Sequence, residues 1–178
     1  LLTWELPRYG RGIIKDDELV EWVSQLDTRK FCLILDVPFS GAVIQASSKG
    51  AEGYQKVTSP YPAHPYAAAD GAGSDVVRYF LQRAGTLVVS MEATRRREVL
   101  WAPKFGDLGP LSVFGMYIFQ ALAKGKNVAE EVFEYASQRT QELTEELADR
   151  LEEGCPEGYE CVMHPVIEAN GSPRDFVF

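Results

Sequence analysis

Apolar positions along the chain fall into short unbroken runs and longer stretches with a helical repeat. Phe31, Cys32, Leu33, Ile34 and Leu35 make one such run, closed by Asp36 and bounded by Lys30 before it and by Pro38 and Gly41 after it. It is too short for a helix and too continuous for a strand with one solvated face. It therefore predicts a strand buried on both faces, as at the centre of a parallel sheet. The run ends in a carboxylate, a Pro/Ser/Gly turn and small apolar residues, and ligands sit at the carboxyl ends of such strands in open α/β sheets. Upstream, Leu19, Trp22, Val23 and Leu26 recur at helical spacing behind Asp16 and Asp17, either of which can cap the helix. A helix leading closely into a buried strand is half of a β-α-β crossover.

The same alternation continues downstream. Ser74 caps a predicted helix over 75–84 whose apolar side is Val76, Val77, Phe80 and Leu81, and Gly85 ends it before a second buried strand at 86–91. Residues 92–102 carry both charge signs with Leu100 and Trp101, and read as a turn at the carboxyl end of that strand. A helix over 110–123 is apolar on its whole circumference, which predicts burial. A long amphipathic helix over 128–152 follows, with Val132, Ala136, Leu143, Leu147 and Leu151 as its stripe. Residues 161–167 and 175–178 read as strand pieces. Between these elements, residues 47–73 are rich in Gly, Ala, Ser, Pro and Tyr without a sustained period, and are expected to form a long surface loop. The order of elements predicts a single α/β sandwich domain spanning 1–178.

Composition narrows the function. Of 178 residues, 46% are hydrophobic and 25% charged, as in a globular domain. The net charge of -8 argues against a nucleic-acid surface, which needs clustered Lys and Arg, and Arg95-Arg96-Arg97 is too short a cluster to reverse that. No apolar run is long enough for a membrane span and no signal peptide is visible, so the expectation is a soluble, cytoplasmic rather than secreted, protein. Cys32 lies in the first buried strand as a small hydrophobe, whereas Cys155 and Cys161 either close a small loop or remain two thiols. His64 and His164 are far from any cysteine pair of zinc-finger spacing, and neither a GxGxxG nor a Walker loop occurs. No cofactor and no metal is expected.

Residues 13–44, with the run ending Asp36-Val37-Pro38-Phe39-Ser40-Gly41, resemble the middle of the caspase-like peptidase fold shared by metacaspases, caspases, legumains and gingipains. In that fold a helix leads into a hydrophobic strand ending in Asp-Ala/Ser-Cys-His/Phe-Ser-Gly. Three further pieces fall in the family's order. Leu87-Val88-Val89-Ser90 resembles the next strand, which leads to specificity residues; residues 109–125 resemble its Gly-x-Phe-Thr helix; residues 164–178 resemble its closing strand. The resemblance implies a three-layer sandwich with a mostly parallel central sheet flanked by helices, and with the fold's N-terminal strands outside this chain.

The resemblance also implies a degenerate site. Pro38 stands where the nucleophilic cysteine belongs and has no nucleophilic atom. The partner histidine belongs about 50 residues upstream, before Leu1, and no Ser-Gly-His-Gly motif occurs. Asp36, Val37, Pro38, Phe39, Ser40 and Gly41 therefore mark the place of a catalytic site without supplying one. Cys32, facing the core, and Ser40, without a visible base, are poor substitutes. The expectation is a pseudopeptidase: a scaffold, regulator or peptide-binding module whose sheet is completed by a second polypeptide or an N-terminal segment. The alternative is a fragment of an active cysteine endopeptidase whose Cys/His dyad comes from another chain. In that case Ser90, Glu92 and Glu98 are candidate substrate-binding residues, the two glutamates for a basic side chain. A third class, a non-peptidase α/β enzyme with Asp36 as base or metal ligand, lacks identifiable further ligands.

Overall fold

A computed structural model describes residues 16–36, 45–47, 54–58, 79–83, 85–95, 98–103, 111–151 and 154–178, with 45–47 and 54–58 given by their backbone. Its elements are α1 (Asp16–Ser24), β1 (Lys30–Leu35), β2 (Gln45–Ser47), β3 (Tyr54–Thr58), β4 (Leu87–Glu92), β5 (Leu100–Pro103), α2 (Val113–Ala123), α3 (Ala129–Asp149) and β6 (Val166–Ala169), with a 3-10 turn at Pro173–Asp175. Residues 79–81 are also helical. The strands form two three-stranded sheets, in the orders β1-β4-β6 and β2-β3-β5.

The centre of the first sheet is β4. It pairs in parallel with β1, Leu33 beside Ser90 and Leu35 beside Glu92, and antiparallel with β6, Ser90 beside Glu168 and Glu92 beside Val166. The sheet is thus mixed, and the expected mostly parallel sheet is not found: among the described strands only β1 and β4 run parallel. Nor is β1 the doubly buried centre that its apolar run predicts. It has one described neighbour, and Ile34 is 37% exposed. An unbroken apolar run signals burial potential but does not say which of two such runs takes the middle.

Alternation along the paired strands separates two cores. Val89 and Met91, with Cys32, Ile167 and Ala169 beside them, belong to the large core built with Val113, Phe114 and Ile118 of α2 and Val132, Ala136 and Leu147 of α3. Val88 turns the other way, into a smaller core with Val23 of α1, Phe80, Phe31 and Leu33. Asn170 closes the edge of β4 where β6 ends. Its side chain accepts from the Val88 amide (2.8 Å) and donates to the Thr86 carbonyl (2.9 Å), continuing the ladder with an amide.

Each helix is held at its ends. The last turn of α1 has no basic residue of its own, and Arg83 reaches it from elsewhere, donating to Val23 O (3.1 Å) and, just beyond the helix, to Leu26 O (3.2 Å). Ser112 is the N-cap of α2, its hydroxyl accepting from the Gly115 amide at 3.1 Å. α3 begins at Val128, which offers no side-chain cap. The C-terminal tail takes that role: Phe176 O accepts from the Ala129 amide at 2.9 Å, and Arg174 pairs with Glu130 in the first turn.

Several expectations are revised. β3 lies inside the stretch read as a loop over 47–73, in a Tyr-Gln-Lys-Val-Thr segment whose β-forming residues outweigh its flanks. Residues 100–102, read as part of a charged turn, belong to β5, with Trp101 fully buried. On α1 the spacing places Trp22 with Val23, yet Val23 is buried and Trp22 is 52% exposed. α2 is not buried all round, since Phe119 is 58% exposed. At the C-terminus, 173–175 form a 3-10 turn, and Val177 makes only an isolated bridge with Val128. The choice left open for the cysteines is settled as a disulfide between Cys155 and Cys161, with a Cα–Cα distance of 5.6 Å. Among the described residues no helix is long and apolar enough to cross a membrane.

Candidate functional site

The carboxyl ends of β1 and β4 lie side by side, and of the residues singled out from the sequence Asp36, Ser90 and Glu92 lie at or near them. Asp36 follows β1 directly. Its Oδ2 accepts from the Ser112 amide at 2.9 Å and its Oδ1 accepts from the Ser112 hydroxyl. The carboxylate therefore reinforces the cap of α2, at the positive end of the helix dipole. Burial pushes its carboxyl above the usual range, while the bonds from Ser112 and from the Gly115 amide pull the other way. With each oxygen committed, Asp36 positions α2 against β1. Val37, Pro38, Phe39, Ser40 and Gly41 lie outside the described residues, as does His64.

Ser90 and Glu92 alternate on β4 and so share the face of Val88. Both are buried, and neither Ser90 Oγ nor Glu92 Oε1 has a hydrogen-bond partner among the described residues. Glu168, beside Ser90 on β6, faces the same way. Burial, reinforced by the negative charge of Glu168, pushes the Glu92 carboxyl up to about 7. This is a pair of unsatisfied buried oxygens beside a second carboxylate, an arrangement that costs stability and suits a cationic or hydrogen-donating group.

Glu98 is engaged differently. It is buried, and its Oε2 accepts two main-chain N–H groups, Arg95 at 2.7 Å and His164 at 3.0 Å. Its Oε1 lies 2.8 Å from His164 Nδ1. Glu98 also forms a parallel bridge with Glu160, and the Val99 amide donates to Glu160 O at 2.8 Å. The structure thus brings Ser90 and Glu92 together and gives Glu98 a separate set of partners.

Cys32 is half-buried against the large core, and burial pushes its thiol up to about 12. A thiol held protonated is no nucleophile at neutral pH, in keeping with its reading as a core residue.

Ser112, Glu160 and Glu168 are the site-forming residues that sequence reasoning did not single out. For Ser112 the signal was present, a serine immediately before an apolar helical run. Glu168 is a lone carboxylate within the apolar closing strand, and Glu160 sits between two cysteines six positions apart.

Comparison with protein families, with curated proteins and with solved structures finds no match for the chain.

Proposed function

We propose that the chain is a caspase-like three-layer domain that binds a peptide or protein ligand without cleaving it, as a scaffold or regulatory subunit. The order of motifs supports the family reading, and Pro38 in the nucleophile slot supports the loss of cleavage. The observation that carries the binding role is the pair of buried, unpartnered oxygens on β4, Ser90 Oγ and Glu92 Oε1, backed by Glu168. Each unsatisfied buried group costs a fold roughly 1–3 kcal/mol, and a ligand that satisfies them recovers that cost. A Lys or Arg side chain fits: it donates several hydrogen bonds and brings one positive charge between Glu92 and Glu168.

A second reading, a subunit of an active cysteine endopeptidase whose dyad comes from another polypeptide, draws on β1 having a described neighbour on one side only. An unpaired edge is where a further strand adds.

The test uses the purified chain with labelled peptides containing Arg or, in its place, Gln, followed by fluorescence anisotropy and by release of a C-terminal fluorophore. The Arg peptide is expected to bind saturably, with about tenfold weaker binding for the Gln peptide and for Glu92→Gln, the loss of one charge-assisted bond. No fluorophore release is expected. Unchanged binding by Glu92→Gln removes the receptor role of β4. Hydrolysis by the chain alone removes the non-catalytic reading, and hydrolysis only after addition of a second polypeptide establishes the subunit reading.

A further inference from the structure

We infer that Glu98, Glu160 and His164 form a binding site for a divalent transition-metal ion, zinc being the best fit. One ligand atom from each, two carboxylate oxygens and one ring nitrogen, lie within 4.8 Å of one another. These atoms come from two stretches of chain, the turn before β5 and the 160–164 segment that contains the second cysteine of the disulfide.

The three positions are set by main-chain structure that does not depend on a metal. Glu98 and Glu160 are bridge partners, and the 160–164 segment is pinned at successive points. Cys161 is tied to Cys155, its carbonyl accepts from Trp101 Nε1 at 2.7 Å, and the Met163 amide donates to Thr144 Oγ1 of α3 at 3.1 Å. Glu98 has one oxygen filled by two backbone amides, which aims the other at His164. A carboxylate held in this way is a pre-oriented ligand.

The charges also call for a cation. Glu98 is buried, and Glu160 brings a second carboxylate within reach of it while having no side-chain partner among the described residues. Two carboxylates this close repel unless a positive charge stands between them. His164 alone offsets one of the two when protonated; a divalent ion offsets both, with the imidazole neutral as a ligand. Glu160 is exposed and His164 half-buried, so the third side of the site opens to water and leaves a coordination position for it.

The donor set selects the class of ion. Ca²⁺ and Mg²⁺ take all-oxygen shells, whereas one imidazole with two carboxylates suits zinc and its first-row neighbours. This inference rests on residues other than Ser90, Glu92 and Glu168, and stands or falls apart from the proposed ligand role of β4.

The chain has two histidines, which makes the test selective. The oxidised protein, free of thiol reductant so that Cys155 and Cys161 stay bridged, is titrated with Zn²⁺ by calorimetry and with Co²⁺ by visible absorption. The wild type and His64→Ala are expected to bind one ion each with the same affinity. His164→Ala and Glu160→Gln are expected to bind at least about tenfold more weakly, the usual scale for losing a group that holds a metal, with unchanged circular dichroism. Excess Mg²⁺ is expected to leave the Zn²⁺ isotherm in place. Absence of binding by the wild type, displacement of Zn²⁺ by Mg²⁺, or wild-type affinity in Glu160→Gln overturns the proposal. Because Glu160 is exposed, that variant decides the matter even if His164→Ala does not fold.

Discussion

Asp36 and Ser112 stand 76 positions apart in the chain and meet through two hydrogen bonds, one to the Ser112 amide and one to its hydroxyl. The contact ties the carboxyl end of β1 to the first turn of α2, so an acidic strand end that reads as catalytic in the sequence is a joint between sheet and helix. Asp36→Ala removes a cap acceptor and a negative charge at the helix N-terminus. It is expected to cost about 2 kcal/mol of stability. Ser112→Ala should cost a similar amount and the double substitution less than the sum, with a coupling of about 1 kcal/mol in urea denaturation. Strict additivity would mean that the two residues do not act as a unit.

Gly115 gives the same joint a steric test. A Cβ at this position would collide with the Asp36 carboxylate, although the residue lies inside a helix where Ala is ordinarily better by about 1 kcal/mol. Gly115→Ala is therefore expected to lower the melting temperature, the collision outweighing the propensity gain by about 1–2 kcal/mol. In an Asp36→Ala background, where the colliding carboxylate is gone, the same substitution should become neutral or stabilising. A gain in the wild-type background would show that Asp36 has room to move.

How far the sequence carried depends on the kind of signal. α3 was legible because Val132, Ala136 and Leu147 keep a helical period over about four turns, and all three are buried. The two apolar runs were legible as strands, but their ranking was not: β4 is central because it finds partners on both sides, which is a property of the whole sheet. The antiparallel β6 was hidden for the same reason, since pairing direction leaves no mark on a four-residue strand. At the candidate site, Ser90 and Glu92 were singled out only through the resemblance of their strand to one that leads to specificity residues. Glu168 and the pairing of Glu98 with His164 depend on contacts between elements 66 or more positions apart, which no local pattern records.

Asn170 supplies a prediction about the edge of β4. Its amide group serves the Val88 N–H and the Thr86 carbonyl at once, and Val88 is buried. Asn170→Ala leaves the amide of the buried Val88 without its acceptor, so a loss of about 1 kcal/mol is expected. Hydrogen exchange offers the direct check: the Val88 amide should lose protection in the variant while the amides of α3 exchange as before, corrected for the global change. Unaltered protection at Val88 would contradict the bond.

Glu92 turns the candidate site into a stability switch with a defined sign. Its carboxyl is pushed from its ordinary value of 4.5 up to about 7 by burial and by Glu168, so the folded chain holds its proton more tightly than the unfolded chain does. A group raised in this way contributes stability that is fully present below about pH 4.5 and is lost as pH rises through about 7. Discounted for partial solvent screening, the loss is about 2 kcal/mol between pH 5 and pH 8. Glu92→Gln has no proton to lose, and its stability relative to the wild type should rise by that amount over the same range. Urea denaturation of both proteins at pH 5, 6.5 and 8 measures the difference directly, with every other titrating group common to the two. A difference that stays constant across the three pH values would mean that Glu92 is ionised in the fold at an ordinary pKa, and that its buried oxygen has found a donor.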